Sequence, residues 1–282
     1  LIEVVRTGPL ATVQDLGRPG HAHLGVPRSG AADGEALRLA NRLVANPEGA
    51  AGVEFTLGGG VLRFCARAWV AVTGAPAPLH IDGRAFGTNA PCHVPAGAVV
   101  ELGTPPVGLR SYLAIRGGLM VEEVLGSRSS DLLSGLGPPP LSPGDQLPIG
   151  AAENLDDITV DIAPAPALPD TPILRILPGP RDDWFRPEAL TMLTSNPYTV
   201  TQDSNRVGVR LDGPPLPRTR EGELSSEGMV IGSLQVPPSG LPIIFLPDHP
   251  TTGGYPVIAV LVSASLSDAA QLRPGQEIRF RL

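Results

Sequence analysis

Chemistry in this sequence has to be sought in a few glycine-rich polar stretches. Residues 12–20 read T-V-Q-D-L-G-R-P-G, and after His21 and His23 the run G-V-P-R-S-G-A-A-D ends at Asp33. Glycine and proline at that density make a long loop shaped by its backbone, and long ordered loops in compact domains are often functional. Gln14, Asp15 and Arg18 either form a polar site there or tie the loop to itself. His21 and His23 share one face of an extended segment, but without a third convincing ligand no metal site is expected. Cys92 and His93 are strand neighbours and point to opposite faces.

Five further stretches hold candidate groups. Arg116-Gly117-Gly118 follows an expected strand, and Ser127-Arg128-Ser129-Ser130-Asp131 comes soon after. Arginine beside glycine-freed backbone amides makes an anion site; a solvated arginine is the plainer reading. In Ser204-Asn205-Arg206-Val207-Gly208 a turn accounts for the Asn and the Gly but not for Arg206. Residues 233–240 read S-L-Q-V-P-P-S-G, and 248–256 read D-H-P-T-T-G-G-Y-P. The second of these presents the Thr251 and Thr252 hydroxyls and backbone amides to an oxygen-rich ligand. There is no G-x-S-x-G elbow, no H-E-x-x-H and no defensible Cys/His dyad.

All 21 cationic residues are arginine, against 28 acidic residues and a net charge of −7. The absence of lysine excludes a Schiff-base or pyridoxal-phosphate mechanism, a P-loop, and a biotinyl- or lipoyl-lysine carrier within this chain. An acidic chain with 4% aromatic residues is a poor nucleic-acid binder. The longest apolar run, near 257–264, is far short of the roughly 20 residues of a membrane span. With two cysteines and no C-x-x-C pair, a cytoplasmic, disulfide-free protein is expected. No signal-peptide pattern opens the chain, which begins at Leu1 rather than Met and so leaves room for an upstream segment.

The elements that must position these groups are mostly strands. The 282 residues include 34 glycines and 33 prolines, which punctuate short apolar or β-branched runs. Strands are expected at 2–5, 53–57, 69–73, 98–102, 112–115, 158–162, 173–177, 198–201, 243–246, 257–263 and 277–281. Two helices are expected. One follows Asp33 as N-cap and stops near Asn46-Pro47; the other spans about 187–194. The fold class is therefore mainly β with a few short helices. Residues 163–172, A-P-A-P-A-L-P-D-T-P, read as a semi-rigid spacer between β domains at 1–162 and 173–282. Each domain ends on the pattern L-x-P-G-x-x-[LI], a Pro-Gly turn into a closing strand.

Ten motifs, in order, resemble one family. They are T-V-Q-D-L-G-R-P-G, G-V-P-x-S-G-A-x-D, V-E-F-T-L, V-A-V-T-G-A, S-Y-L-A-I-R-G-G, V-L-G-S-R-S, L-P-G-P, S-N-R-x-G, L-Q-V-P-P-S-G and T-T-G-G-Y-P. Spread over residues 2–280, they resemble the allophanate hydrolase subunit 2 family. The resemblance implies two cyclophilin-like β-barrel domains and a cleft shared with a subunit 1 partner in a hetero-oligomer. It implies one subunit of an ATP-dependent 5-oxoprolinase-type complex, inactive alone, with a third lactam-opening subunit as a further partner. Alternatives within the family are a urea-type carboxyltransferase served by a separate carboxybiotin carrier, and a non-catalytic antagonist of a kinase inhibitor. Departures from the family pattern stand at Gly60, Arg181, Asp248-His249-Pro250, Ser265 and Gln276.

Opening a lactam is hard because the amide is resonance-stabilised, and phosphorylating its oxygen makes the carbon attackable by water. Such a step needs phosphate clamping and positioning more than a covalent nucleophile. The resemblance implies ATP with Mg²⁺, shared with the partner. Arg128 and Arg206 are then clamps for substrate or phosphate. Gln14, Asn205 and Gln235 orient the amide, and Asp15 or Asp33 holds the metal or acts as base. Arg18, Thr251, Thr252 and Tyr255 complete the expected substrate contacts. Arg206 is expected to point into a cleft, so that its loss would cost activity and little stability.

Overall fold

The computed structural model describes residues 1–282 except Pro166, Glu221 and Glu223. The chain divides into two compact units. The first comprises Leu1–Arg18, Ser29–Asp131 and Gly135–Ala167; the second comprises Pro19–Arg28, Leu132–Ser134 and Leu168–Leu282. Most expected strands form, with ends shifted by a residue or two.

In the first unit the strands build two sheets. The six-stranded sheet runs Gln146–Leu147, Ile2–Thr7, Gly60–Phe64, Val99–Leu102, Leu79–Ile81 and Arg84–Phe86. The five-stranded sheet runs Leu10–Gln14, Gly52–Thr56, Arg110–Ile115, Ala68–Gly74 and Pro91–Val94. Alternate side chains of both sheets, including Val4, Leu62, Phe64, Val13, Phe55, Val72 and Leu113, share one core. The second face of the five-stranded sheet is covered by the helix Gly34–Leu43, whose Ala40 and Leu43 pack with Ala71 and Ala114. That double cover explains why every residue of Arg110–Ile115 is buried. The helix starts where expected, because the Asp33 side chain accepts the Ala36 N–H (3.1 Å).

The second unit closes a seven-stranded barrel: Ile173–Pro178, Val257–Leu261, Ser233–Gln235, Ile243–Phe245, Gly208–Asp212, Tyr198–Val200 and Glu277–Arg281. Closure comes from the parallel pairing of the first strand with the last, Ile173 opposite Arg279, and leaves no free edge. The short helix Ala189–Ser195 buries Ala189 and Leu193 in the barrel's hydrophobic cluster. In each unit the strand after the Pro-Gly turn pairs with that unit's first strand.

One expected strand is absent. Residues 158–162 alternate correctly, yet Val160 and Ile162 are 42% and 70% exposed and no strand pairs with them among the described residues. The segment is an extended strap tied at its ends: Arg116 donates to the Leu155 and Asp156 carbonyls, and Ala163 N–H donates to the Asn89 carbonyl. Of the expected spacer, Pro166 lies outside the described residues. Both cysteines are free; Cys65 is exposed, and burial pushes the Cys92 thiol up. Among the described residues, no helix is long and apolar enough to cross a membrane.

Tyr198 packs edge-on to Phe280 (5.9 Å) and donates its hydroxyl to the Pro214 carbonyl (3.0 Å). Burial pushes its phenol from the ordinary 10 to about 12. The folded state therefore holds this proton more tightly than the unfolded chain. The resulting stability is complete below pH 10 and is lost as pH rises towards 12. Urea unfolding should show stability falling across that window, with a shallower fall in Tyr198→Phe; identical slopes would contradict the assignment.

Candidate active site

In the first unit the site grows from the end of the strand Leu10–Gln14. Asp15 follows directly, and its buried carboxylate is met by four donors. Oδ1 accepts from Gly17 N–H (2.7 Å), Ser127 Oγ (2.6 Å) and Ser129 Oγ (2.6 Å), and Oδ2 accepts from Arg128 N–H (2.6 Å). Ser129 Oγ in turn accepts the Asp15 N–H (2.9 Å), and the Asp15 carbonyl accepts Ala31 N–H (2.9 Å). One carboxylate thus fastens the T-V-Q-D-L-G loop to the S-R-S-S-D loop, while its backbone fastens the S-G-A-A-D run. Charge-assisted bonds of this kind are about twice as strong as neutral ones.

Gln14 and Arg18 flank it. Gln14 Nε2 donates to Thr12 Oγ1 and to the Ser130 carbonyl, both at 3.0 Å. Arg18 donates from Nε to the Val124 carbonyl (3.2 Å) and from Nη2 to the Ser129 carbonyl. Ser29, held at a positive φ of 53°, donates its hydroxyl to the Ser130 carbonyl (2.9 Å). Gly137 must be glycine, because a Cβ there would lie 2.1 Å from the Ser129 oxygen. Three buried atoms of this cluster have no hydrogen-bond partner among the described residues: Gln14 Oε1, Arg18 Nη1 and Ser130 Oγ. Buried polar groups are normally satisfied, so such a concentration marks capacity for an ordered water or a ligand.

A second polar group lies on the helix-covered face of the five-stranded sheet. Glu54 Oε2 accepts from Ala32 N–H (2.9 Å) and from the Tyr112 hydroxyl (2.8 Å), while Oε1 faces Arg110 (3.5 Å). The Tyr112 hydroxyl accepts Asp33 N–H (2.7 Å), and burial beside Glu54 pushes its phenol well above the ordinary value. Glu54, Arg110, Tyr112, Ser127 and Ser129 were not singled out by type and spacing alone. For Glu54 the signal was available: a carboxylate between core residues Val53 and Phe55 points to the face that the helix buries.

The structure therefore brings Gln14, Asp15, Arg18 and the Arg128 backbone together and gives Asp33 a different task. Asp33 caps the helix through Oδ1. Asp15 is a positioning group, engaged on both oxygens. The Arg128 side chain turns away to an ion pair with Glu123. Among the described residues no group of three or more His, Cys, Asp or Glu is placed to hold a metal ion.

The remaining candidates lie in the second unit. Asn205 is a turn residue: its Oδ1 accepts from Val207 N–H (2.8 Å) and Gly208 N–H (3.3 Å). Arg206 does not point into a cleft. It is buried and pairs through Nε and Nη2 with both oxygens of the fully buried Asp248, at 3.0 and 3.2 Å. Asp248, one of the departures from the family pattern, also accepts Leu132 N–H (3.2 Å). Gln235 donates to the Tyr255 carbonyl (3.3 Å). Thr252 pairs across Thr252–Gly253 with Glu227–Gly228, and the Thr251 carbonyl accepts Met229 N–H. Arg181, another departure, forks onto Glu227 and holds that carboxyl below its usual range.

Residues 24–282 match the carboxyltransferase domain, subdomain A and B. The chain belongs to that family. It is 38% identical to a 5-oxoprolinase subunit of Escherichia coli, over 99% of this chain and 90% of that protein. The crystal structure of TTHA0988 superposes with a TM-score of 0.91 at 38% identity, covering 100% of this chain and 56% of that one. The urea amidolyase of K. lactis gives a TM-score of 0.89 at 31% identity, with 99% of this chain on only 18% of that one. The family inferred from the ordered motifs is the one found, and its named members are parts of hydrolase and carboxylase enzymes.

Arg206 sits where truncation strands a charge. Removing one partner of a buried pair costs about 3–5 kcal/mol, since the other is left uncompensated. Arg206→Ala should lose that much in urea unfolding before any activity is measured. Stability within about 0.5 kcal/mol of the parent, the usual range for an uninvolved surface change, would put the guanidinium back among the ligand-binding groups.

Proposed function

We propose that this chain is one subunit of an ATP-dependent amidohydrolase complex that opens 5-oxoproline to glutamate. The observation that carries the reading is the match to the Escherichia coli 5-oxoprolinase subunit, which runs through nearly all of both chains. The urea amidolyase match, by contrast, leaves most of that larger chain uncovered.

The chemistry of the Asp15 cluster supports the same reading. A cyclic amide with a carboxylate offers one N–H to donate, one carbonyl to accept and one anion to pair. Gln14 Oε1 is an acceptor, Ser130 Oγ serves as either, and Arg18 Nη1 is a donor suited to an anion. A site built to pair such groups rejects an analogue lacking them, because its own buried groups are then left unpaired. These atoms are closed to solvent while Asp15 holds the loop at 127–131, so on this reading the substrate reaches them only when the Asp15 contacts release. Asp15 acts by holding that loop in register. On this reading ATP and its Mg²⁺ are shared with the partner subunits.

A second reading, transfer of a carboxyl group to a urea-type amide, is favoured by the structural match to urea amidolyase. With no lysine among residues 1–282, the biotin-bearing lysine then lies outside them.

Reconstitution separates the two. With its partner subunits the chain should release glutamate from 5-oxoproline only with ATP, and alone it should release none. Gln14→Leu in the complex should raise KM or lower kcat by about tenfold, a loss of about 1.4 kcal/mol, measured at a temperature where the variant is still folded. Rapid cleavage by the isolated chain, or carboxylation of urea with no action on 5-oxoproline, would reject the proposal.

A further inference from the structure

We propose that the open cavity beside Trp69, in the first unit, is a binding site for a planar-ring anion of mononucleotide size. It shares no residue with the Asp15 cluster and does not depend on the reaction assigned above.

The cavity arises where the helix cover ends. On the outer face of the five-stranded sheet, Ala71 is packed under the helix Gly34–Leu43. Two residues earlier on the same strand, Trp69 points to that same face and is 39% exposed. His93 sits opposite it across the strand pair and meets the indole edge-on, with ring centroids 5.4 Å apart. Ile149 and Gly150 supply another wall, and the space between is about 430 Å³. That volume falls within the roughly 300–1,000 Å³ of sites for drug-sized ligands, more than an inorganic anion fills.

The charge of the wall has one sign. Arg67 and Arg116 both line the cavity, and no acidic side chain does among the described residues. Arg116 is fixed, donating to the Val44 carbonyl (3.0 Å) at the helix end and to the carbonyls of Leu155 (3.1 Å) and Asp156 (2.8 Å). Three hydrogen bonds hold its guanidinium in place, and its positive charge remains at the wall. Arg67 is exposed, and no hydrogen bond or ion pair holds it among the described residues. Its planar fork is free to grip a phosphate or carboxylate in two bonds. An exposed indole face beside an uncommitted guanidinium selects a ligand with a flat ring at one end and an anionic group at the other. In this assignment the ring lies on Trp69, with the His93 edge limiting its tilt, and the phosphate reaches Arg67.

The test uses the full chain with three probes: AMP, adenosine and inorganic phosphate. Titration is followed by calorimetry, and by fluorescence in a Trp184→Phe background in which Trp69 is the single tryptophan. AMP should bind at least tenfold more tightly than either of the others and should quench Trp69. Arg67→Ala should weaken AMP at least tenfold and leave adenosine unchanged; Trp69→Leu should weaken both. Arg67 is exposed and holds nothing else in place, so its variant should fold as the parent does. AMP binding no tighter than phosphate, or full AMP affinity in Arg67→Ala, would overturn the proposal.

Discussion

The candidate site depends on one buried carboxylate being satisfied. Asp15 gathers two backbone N–H groups and two serine hydroxyls within a shell of 2.6–2.7 Å. An isolated buried carboxylate is costly, and a fully hydrogen-bonded one is a strong local constraint. The need to satisfy it fixes the spacing of both loops. Gly17 must come two residues after Asp15, and Ser127, Arg128 and Ser129 must arrive in sequence, so that hydroxyl, amide and hydroxyl converge. With the loops fastened, the Ser129 and Val124 carbonyls face Arg18, and the Ser130 carbonyl faces Gln14 and Ser29. Gly137 passes close against Ser129 because it has no Cβ.

The second unit handles its buried charge differently. There the compensation is an ion pair between two loops that join barrel strands, Arg206 with Asp248. A buried pair of this kind adds little net stability over apolar packing, yet breaking it is expensive. It specifies geometry at the turn after Asn205 and at Asp248. The departure from the family pattern at Asp248 thus has a structural partner within the same unit.

Much of the fold was legible in the sequence. The alternation of β-branched residues and the Pro-Gly turns located most strands, and Asp33 announced its helix. The strap at 158–162 misled because its alternation is that of a strand, while pairing depends on a neighbour that local pattern does not reveal. In the site, Gln14, Asp15 and Arg18 stood out by type, and the structure joins them. Their mode of joining was hidden, since serines at 127 and 129 look like loop filler until a carboxylate faces them. Arg206 was misjudged for a related reason. A turn does not explain an arginine, but a buried aspartate 42 residues later does, and no local spacing exposes it.

The central claim is that the Asp15 carboxylate, and not general packing, holds the two loops together. Hydrogen exchange of the Asp15→Asn variant tests it most directly, since the substitution keeps the shape and removes the charge and one acceptor. The amides of Gly17 and Arg128 should exchange much faster than in the parent, while those of the barrel strands Val257–Leu261 and Ser233–Gln235 stay protected. Unchanged protection at Gly17 and Arg128 would contradict the account.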